Sequence, residues 1–109
     1  MPMPRQPRQP RDEPPHGRPP QWTIFSNHAH VLVCIARNPE ERVREIARKV
    51  GITERAVQRI LGDLEEGGVI TRERLGRANR YRLSLDRPLR HPLEANTTIA
   101  EVIRVIESE

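Results

Sequence analysis

The sequence predicts a small α+β domain, mainly helical, made of three short helices, a β-hairpin and a closing helix. Three observations predict it. First, two neighbouring segments carry apolar residues at i, i+3, i+4 and i+7, with Gly51 between them. They are Val43, Ile46, Ala47 and Val50, then Val57, Ile60, Leu61 and Leu64. Second, the apolar period changes to two between Val69 and Leu85. Third, a helical period returns at Ile99.

A chain of 109 residues suits one domain with one modest core. Residues 1–20 hold eight prolines with Gln, Arg and Gly, and no apolar residue after Met3. They cannot bury enough surface to offset chain entropy and are expected to form a disordered tail. That tail is either a solvated extension or a basic arm adding non-specific contacts. Residues 21–90 are expected to form the folded domain, and residues 91–109 a C-terminal segment with an amphipathic helix.

Trp22, Ile24 and Phe25 are expected to begin the fold. Ser26 or Asn27 can cap a first helix running to about Arg37, with Val31, Leu32 and Ile35 at helical spacing. Asn38-Pro39 breaks it. The next segment reads in two ways. Asn38 as N-cap, with Pro39, Glu40 and Glu41 in the first turn, would start a helix at once. Alternatively, residues 38–41 turn, Arg42-Val43 form a short strand, and the helix begins near Arg44.

Gly51 supplies the left-handed residue that ends this second helix. Ile52 is a buried linker, and Thr53 is a good N-cap for a third helix, which Gly67-Gly68 ends. Val69–Leu75 and Arg80–Leu85 read as two strands, with Gly76 to Asn79 as the loop between them. Pro88 and Pro92 mark an irregular connection. Thr98 and Glu101 have capping-box spacing at the start of the last helix, whose stripe is Ile99, Val102, Ile103 and Ile106.

Helix, turn with Gly51, helix, hairpin is an order with a functional meaning. A helix-turn-helix needs its second element held across its first by a small apolar core, leaving a polar outer face free for a DNA groove. Ile46, Ala47, Val50, Ile52, Val57 and Ile60 can supply that core. Subtracting buried positions leaves Thr53, Glu54, Arg55, Gln58, Arg59 and Gly62 outward. Arg, Gln and Thr are residue types that contact base edges and phosphates.

Charge placement points the same way. The net charge is +4, but residues 67–90 hold seven arginines against two acids, and residues 91–109 one arginine against four acids. Eighteen of the nineteen basic residues are arginine, a bias that base composition alone can produce. The uneven placement survives that objection, and it is the footprint of a polyanion binder.

The run RVREIARKVGITERAVQRILGDLEEGGVITRERLGRANRYRLS, Arg42 to Ser84, resembles the winged helix-turn-helix of prokaryotic MarR- and ArsR-type regulators. WTIFSNHAHVLVCIARNP before it resembles the first helix of the same group. The resemblance implies the second reading above, with a strand at Arg42-Val43 pairing with the wing. It also implies Thr53–Glu66 as recognition helix and Gly76–Arg80 as wing tip. Full MarR proteins carry longer flanking dimerisation helices, which this chain lacks.

The expected function is sequence-specific binding of double-stranded DNA by a transcriptional regulator. Thr53, Glu54, Arg55, Gln58 and Arg59 would act from the recognition helix, and Arg74, Arg77, Asn79 and Arg80 from the wing. Ile99, Val102, Ile103 and Ile106 would pack on the first helix of the same chain or make a homodimer contact, the latter favoured. The rival reading is a winged-helix protein–protein interaction module, with the acidic 91–109 segment as its working surface.

Other classes are disfavoured. The sequence has no phosphate loop, nucleophile elbow or metal box, so an enzyme and a cofactor are not expected. His28, His30 and His91 with Cys34 make a poor metal set, since one thiol stands alone and His28 and His30 point to different helix faces. Cys34 reads as a small core residue. Single-stranded RNA binding needs exposed aromatics, and Trp22, Phe25 and Tyr81 are few. The longest apolar run, Val31 to Ala36, is far short of a membrane span, and the N-terminus lacks a secretory apolar region. A reducing, cytoplasmic setting on the nucleoid is expected.

Overall fold

A computed structural model describes residues 20–107. The tail expected over residues 1–20 lies outside the described residues, apart from exposed Pro20. Among the described residues the chain runs α1 (Asn27–Arg37), α2 (Val43–Val50), α3 (Glu54–Glu66), β1 (Ile70–Leu75) and β2 (Ala78–Leu83). A 3-10 turn at Pro92–Glu94 and α4 (Ile99–Glu107) follow.

The apolar stripes meet in one core. Val31, Leu32 and Ile35 of α1 face Ile46 and Ala47 of α2 and Val57, Ile60, Leu61 and Leu64 of α3. Val69, Ile70 and Tyr81 close it from the hairpin, and Ile99 from α4. Ile35, Ile46, Ile60 and Leu61 are almost fully sequestered. Each such aliphatic side chain contributes roughly 1.5–3 kcal/mol on burial, so these stripes hold the helices together. Val50 and Ile52 are half-buried against the same cluster. Cys34 is also half-buried against it.

The residues expected to begin the fold lie mostly outside this core. Trp22 is 72% and Ile24 84% exposed, and only Phe25 is half-buried. Among the described residues no helix or strand precedes α1.

The turn before α2 decides between the two readings of residues 38–43. Asn38 Oδ1 accepts from the Glu40 N–H at 3.1 Å, and the Glu41 N–H donates to the Asn38 carbonyl at 3.0 Å. These bonds make residues 38–41 a turn. The strand expected at Arg42-Val43 is absent. Arg42 is instead the N-cap of α2, and its carbonyl accepts from Ile46 N–H at 3.0 Å. Backbone committed to a helix cannot also join a ladder. The hairpin reaches this turn through one bond, from Tyr81 N–H to the Pro39 carbonyl at 2.9 Å.

The sheet is therefore a two-stranded antiparallel hairpin. Its loop is shorter than the expected Gly76–Asn79, because Leu75 pairs with Ala78 and Arg74 with Asn79. Gly76 at φ +62 and Arg77 form a two-residue turn. A positive φ at the first turn residue alone is the type II′ pattern, whose twist matches that of the strands. The second strand ends at Leu83 rather than Leu85.

The irregular connection is stitched to the start of α4. Leu89 N–H donates to Thr97 carbonyl, Ile99 N–H to Arg87 and Ala100 N–H to Leu85, all between 2.9 and 3.0 Å. α4 opens on a capping box. Thr98 N–H donates to Glu101 Oε1 at 3.0 Å, and Glu101 N–H to Thr98 Oγ1 at 3.3 Å.

α4 packs onto α1. Ile99 and Val102 are buried within the chain, and Ile103 and Ile106 are half-buried. Arg37 Nε lies 3.5 Å from Glu107 Oε1 across the same contact. Among the described residues no helix is long and apolar enough to cross a membrane.

Candidate nucleic-acid interface

α2 and α3 are joined by Gly51-Ile52-Thr53, and each residue has a task. Gly51 adopts φ +85, and the Gly51 and Ile52 N–H groups both bond the Ala47 carbonyl, at 2.8 and 3.1 Å. This closes α2 with the left-handed cap that favours glycine. Ile52 then packs against the core, and Thr53 Oγ1 accepts from Ala56 N–H at 3.0 Å to start α3. The three-residue link fixes the crossing of the two helices.

That crossing buries Val57, Ile60, Leu61 and Leu64 and leaves the other face of α3 in solvent. Thr53, Glu54, Arg55, Gln58, Arg59 and Gly62 are all exposed. Thr53 spends its oxygen on the cap, and Glu54 sits in the first turn, where the helix dipole favours an acid. Among the described residues no carboxylate lies within ion-pair distance of Arg55 or Arg59. Their guanidinium groups remain available to an external anion.

Gly62 is a residue that charge and hydropathy did not single out beyond its outward position. It lies inside α3 on the exposed face, and a Cβ added there would meet nothing within 4 Å. Glycine in a helix interior costs roughly 1 kcal/mol relative to alanine. Packing within the chain offers no reason for it. The smooth face it leaves suits close approach by another molecule.

The hairpin divides the arginines of residues 67–90 by function. Arg72 bonds Glu65 of α3 at 3.3 Å and lies 5.8 Å over the Tyr81 ring, so it fastens the hairpin to the helix. Arg82 bonds Glu73 at 2.7 Å. Arg87 and Arg90 leave the hairpin altogether and lie against Gly68 and Gly67, where α3 ends. Cations there complement the negative end of the helix dipole. Arg74, Arg77 and Arg80 remain near the tip, and all three are exposed.

Those three do not share one face. Register places Arg74 opposite Asn79, on the side that also carries Arg72, Tyr81, Ile70 and Leu83. Arg80 stands opposite Glu73 on the other side. Arg74 Nε donates to the Gly76 carbonyl at 3.2 Å, which braces the turn, and Arg77 sits at the turn itself. Asn79 is half-buried.

Helix, three-residue turn, outward-facing helix and a basic hairpin docked on the third helix are now all in view. The fold is a winged helix-turn-helix. A family model described as winged helix-turn-helix DNA-binding matches residues 27–71, which span α1 to α3 and the first residues of β1. No curated protein matches the chain. The family similarity supports DNA binding in general, through this winged helix.

His28, His30 and His91 make hydrogen bonds within the fold. His28 Nε2 lies 2.9 Å from Asp63 Oδ2, joining α1 to α3, and His30 Nδ1 lies 3.2 Å from Asn27 Oδ1. His91 Nδ1 accepts from Leu93 N–H at 3.1 Å and caps the 3-10 turn. Burial holds the His30 imidazole below its ordinary pKa and pushes the Cys34 thiol up.

Proposed function

We propose that this chain is a transcriptional regulator of the MarR/ArsR-like type that binds double-stranded DNA in a sequence-dependent way. In this reading residues 21–90 are the DNA-binding domain. α3 enters the major groove, with Arg55, Gln58 and Arg59 reaching bases or adjacent phosphates. The wing lies on the backbone or minor groove through Arg77, with Arg74 and Asn79 on one face and Arg80 on the other. Thr53 and Glu54 stand at the end of α3 that enters the groove.

One observation carries the reading. Among the described residues, the exposed face of α3 presents Arg55 and Arg59 with no ion pair, followed one turn on by Gly62 with open space above it. A merely solvated helix face gains nothing from that glycine. A face that meets a duplex needs both donors and clearance.

A homodimer is part of the proposal, with two α3 helices about 34–36 Å apart on a pseudo-palindrome. Of the stripe Ile99, Val102, Ile103 and Ile106, the first two are buried within the chain, so of these four only Ile103 and Ile106 remain for a contact through α4. A role on DNA places the protein with the nucleoid in the cytoplasm.

The test is fluorescence anisotropy of the full chain with a random duplex at several salt concentrations, followed by selection of bound sites from random DNA. The expected result is binding at low salt, a steep negative slope of log K against log salt, and a palindromic consensus. Absence of duplex binding at low salt overturns the proposal and favours the protein-interaction module.

A further inference from the structure

A cavity of about 620 Å³ opens beside the C-terminal half of α3, between α1, α4 and the segment around residues 88–94. Its volume falls within the roughly 300–1,000 Å³ range of small-molecule sites. Phe25, Leu32, Leu64, Leu89, Ile99 and Val102 line it, so much of its wall is apolar. DNA binding through the exposed face of α3 makes no use of it.

The charged residues that line the cavity decide what it would hold. Asp63, Glu66 and Glu94 contribute three carboxylates and Arg90 one cation, with His28 and His91 beside them. Asp63 is already bonded to His28 at 2.9 Å, and Arg90 leans on Gly67 at the end of α3. Glu66 and Glu94 have no cation within ion-pair distance among the described residues. Glu66 is also in the last turn of α3, where the helix dipole disfavours an acid. Arg90, against Gly67, is the one arginine in the lining, and two of the three carboxylates there have no ion pair among the described residues.

We infer that this cavity is a binding site for a lipophilic organic cation, an aromatic or alkyl ammonium or its equivalent. The apolar wall takes the hydrocarbon part, and Glu66 and Glu94 hold the positive charge at the mouth. Phe25 is also in the lining, and an aromatic ring attracts a cation further. The net charge of the whole chain is +4, so a general field would draw in anions instead. Preference for a cation would have to come from this cavity.

The test uses two probes of nearly the same shape and opposite charge, tetraphenylphosphonium and tetraphenylborate, titrated into the full chain by calorimetry. The expected result is saturable one-to-one binding of the phosphonium, about tenfold tighter than the borate. The double substitution Glu66→Gln with Glu94→Gln should weaken phosphonium binding by about tenfold and leave borate binding no weaker. Both residues are exposed, so circular dichroism and thermal melting should show the fold intact. No saturable phosphonium binding, equal or tighter borate binding, or an undiminished affinity in the folded double variant would each overturn the inference.

Discussion

The guanidinium of Arg72 lies 5.8 Å above the ring of Tyr81, its register partner across the hairpin, while Nη2 reaches Glu65 of α3 at 3.3 Å. One side chain thus clamps the wing to the third helix. Arg72 and Glu65 are both partly exposed, so the ion pair contributes little by itself, and the stack adds to it. Arg72→Ala should lower stability by about 1 kcal/mol and raise amide exchange in β1 and β2. It should leave the salt slope of duplex binding unchanged. A slope reduced by a full unit would show that Arg72 contacts phosphate and not the fold.

Gly62→Ala should raise stability by about 1 kcal/mol, because the helix gains propensity and the new methyl meets open space. Thermal or urea unfolding measures it. The same variant should bind duplex less tightly, since the added carbon sits on the face proposed to meet DNA. A variant both more stable and equally tight would remove Gly62 from the interface.

Arg55→Ala and Arg77→Ala should fail differently on DNA. Loss of Arg55 should cost about 1–3 kcal/mol on the selected site and relax preference at one position. Loss of Arg77 should weaken all sequences alike and lower the salt slope by roughly one. Anisotropy on selected and random duplexes separates the two. Swapped behaviour would mean the helix and the wing have exchanged roles.

The capping box of α4 makes stability depend on acid. Hydrogen bonds from Thr98 hold the Glu101 carboxyl below its ordinary pKa. A depressed folded value stabilises the protein above the unfolded pKa, and the contribution disappears as pH falls through the folded value. Glu101→Ala should therefore be less stable than the parent at neutral pH. The gap should close as pH falls below the ordinary carboxylate pKa of about 4.3, as read by thermal melts across pH. Thr98→Ala should cost about 1 kcal/mol as a lost cap.

Burial raises the Cys34 pKa, with the nearby Lys49 and Arg37 opposing it only in part. At pH 8 the folded chain should therefore hold less thiolate than the unfolded chain. A thiol reagent should modify Cys34 more slowly in buffer than in urea. Equal rates would place Cys34 outside the core boundary.

Much of this fold is legible in local chemistry. Gly51, Thr53, the paired Gly67 and Gly68, and the Thr98–Glu101 spacing each encode their cap within a few residues. The stripes Ile46–Ala47 and Val57–Ile60–Leu61–Leu64 follow from helical period alone. The Arg42-Val43 strand was expected from resemblance, and the backbone of α2 claims those residues first. The loop at Gly76 was expected two residues too long, because the pairing of Leu75 with Ala78 depends on turn geometry that composition does not display. Trp22 and Ile24 were expected to start the fold because they are apolar, yet period and composition do not reveal whether a partner surface exists.

By itself the sequence determined which residues become helix and hairpin, and that a face bearing Arg55, Gln58 and Arg59 faces outward. The helices and their caps rest on interactions spanning four residues or fewer, so they are written in local order. Only the tertiary structure decided which arginines are free. Arg72 and Arg82 are taken by carboxylates, Arg87 and Arg90 by the end of α3, and Arg80 lies on the opposite face of the wing from Arg74. Pairing of charges depends on through-space distances across elements, and hairpin register turns neighbouring residues to opposite sides. Neither quantity can be read from a linear count of positive charge.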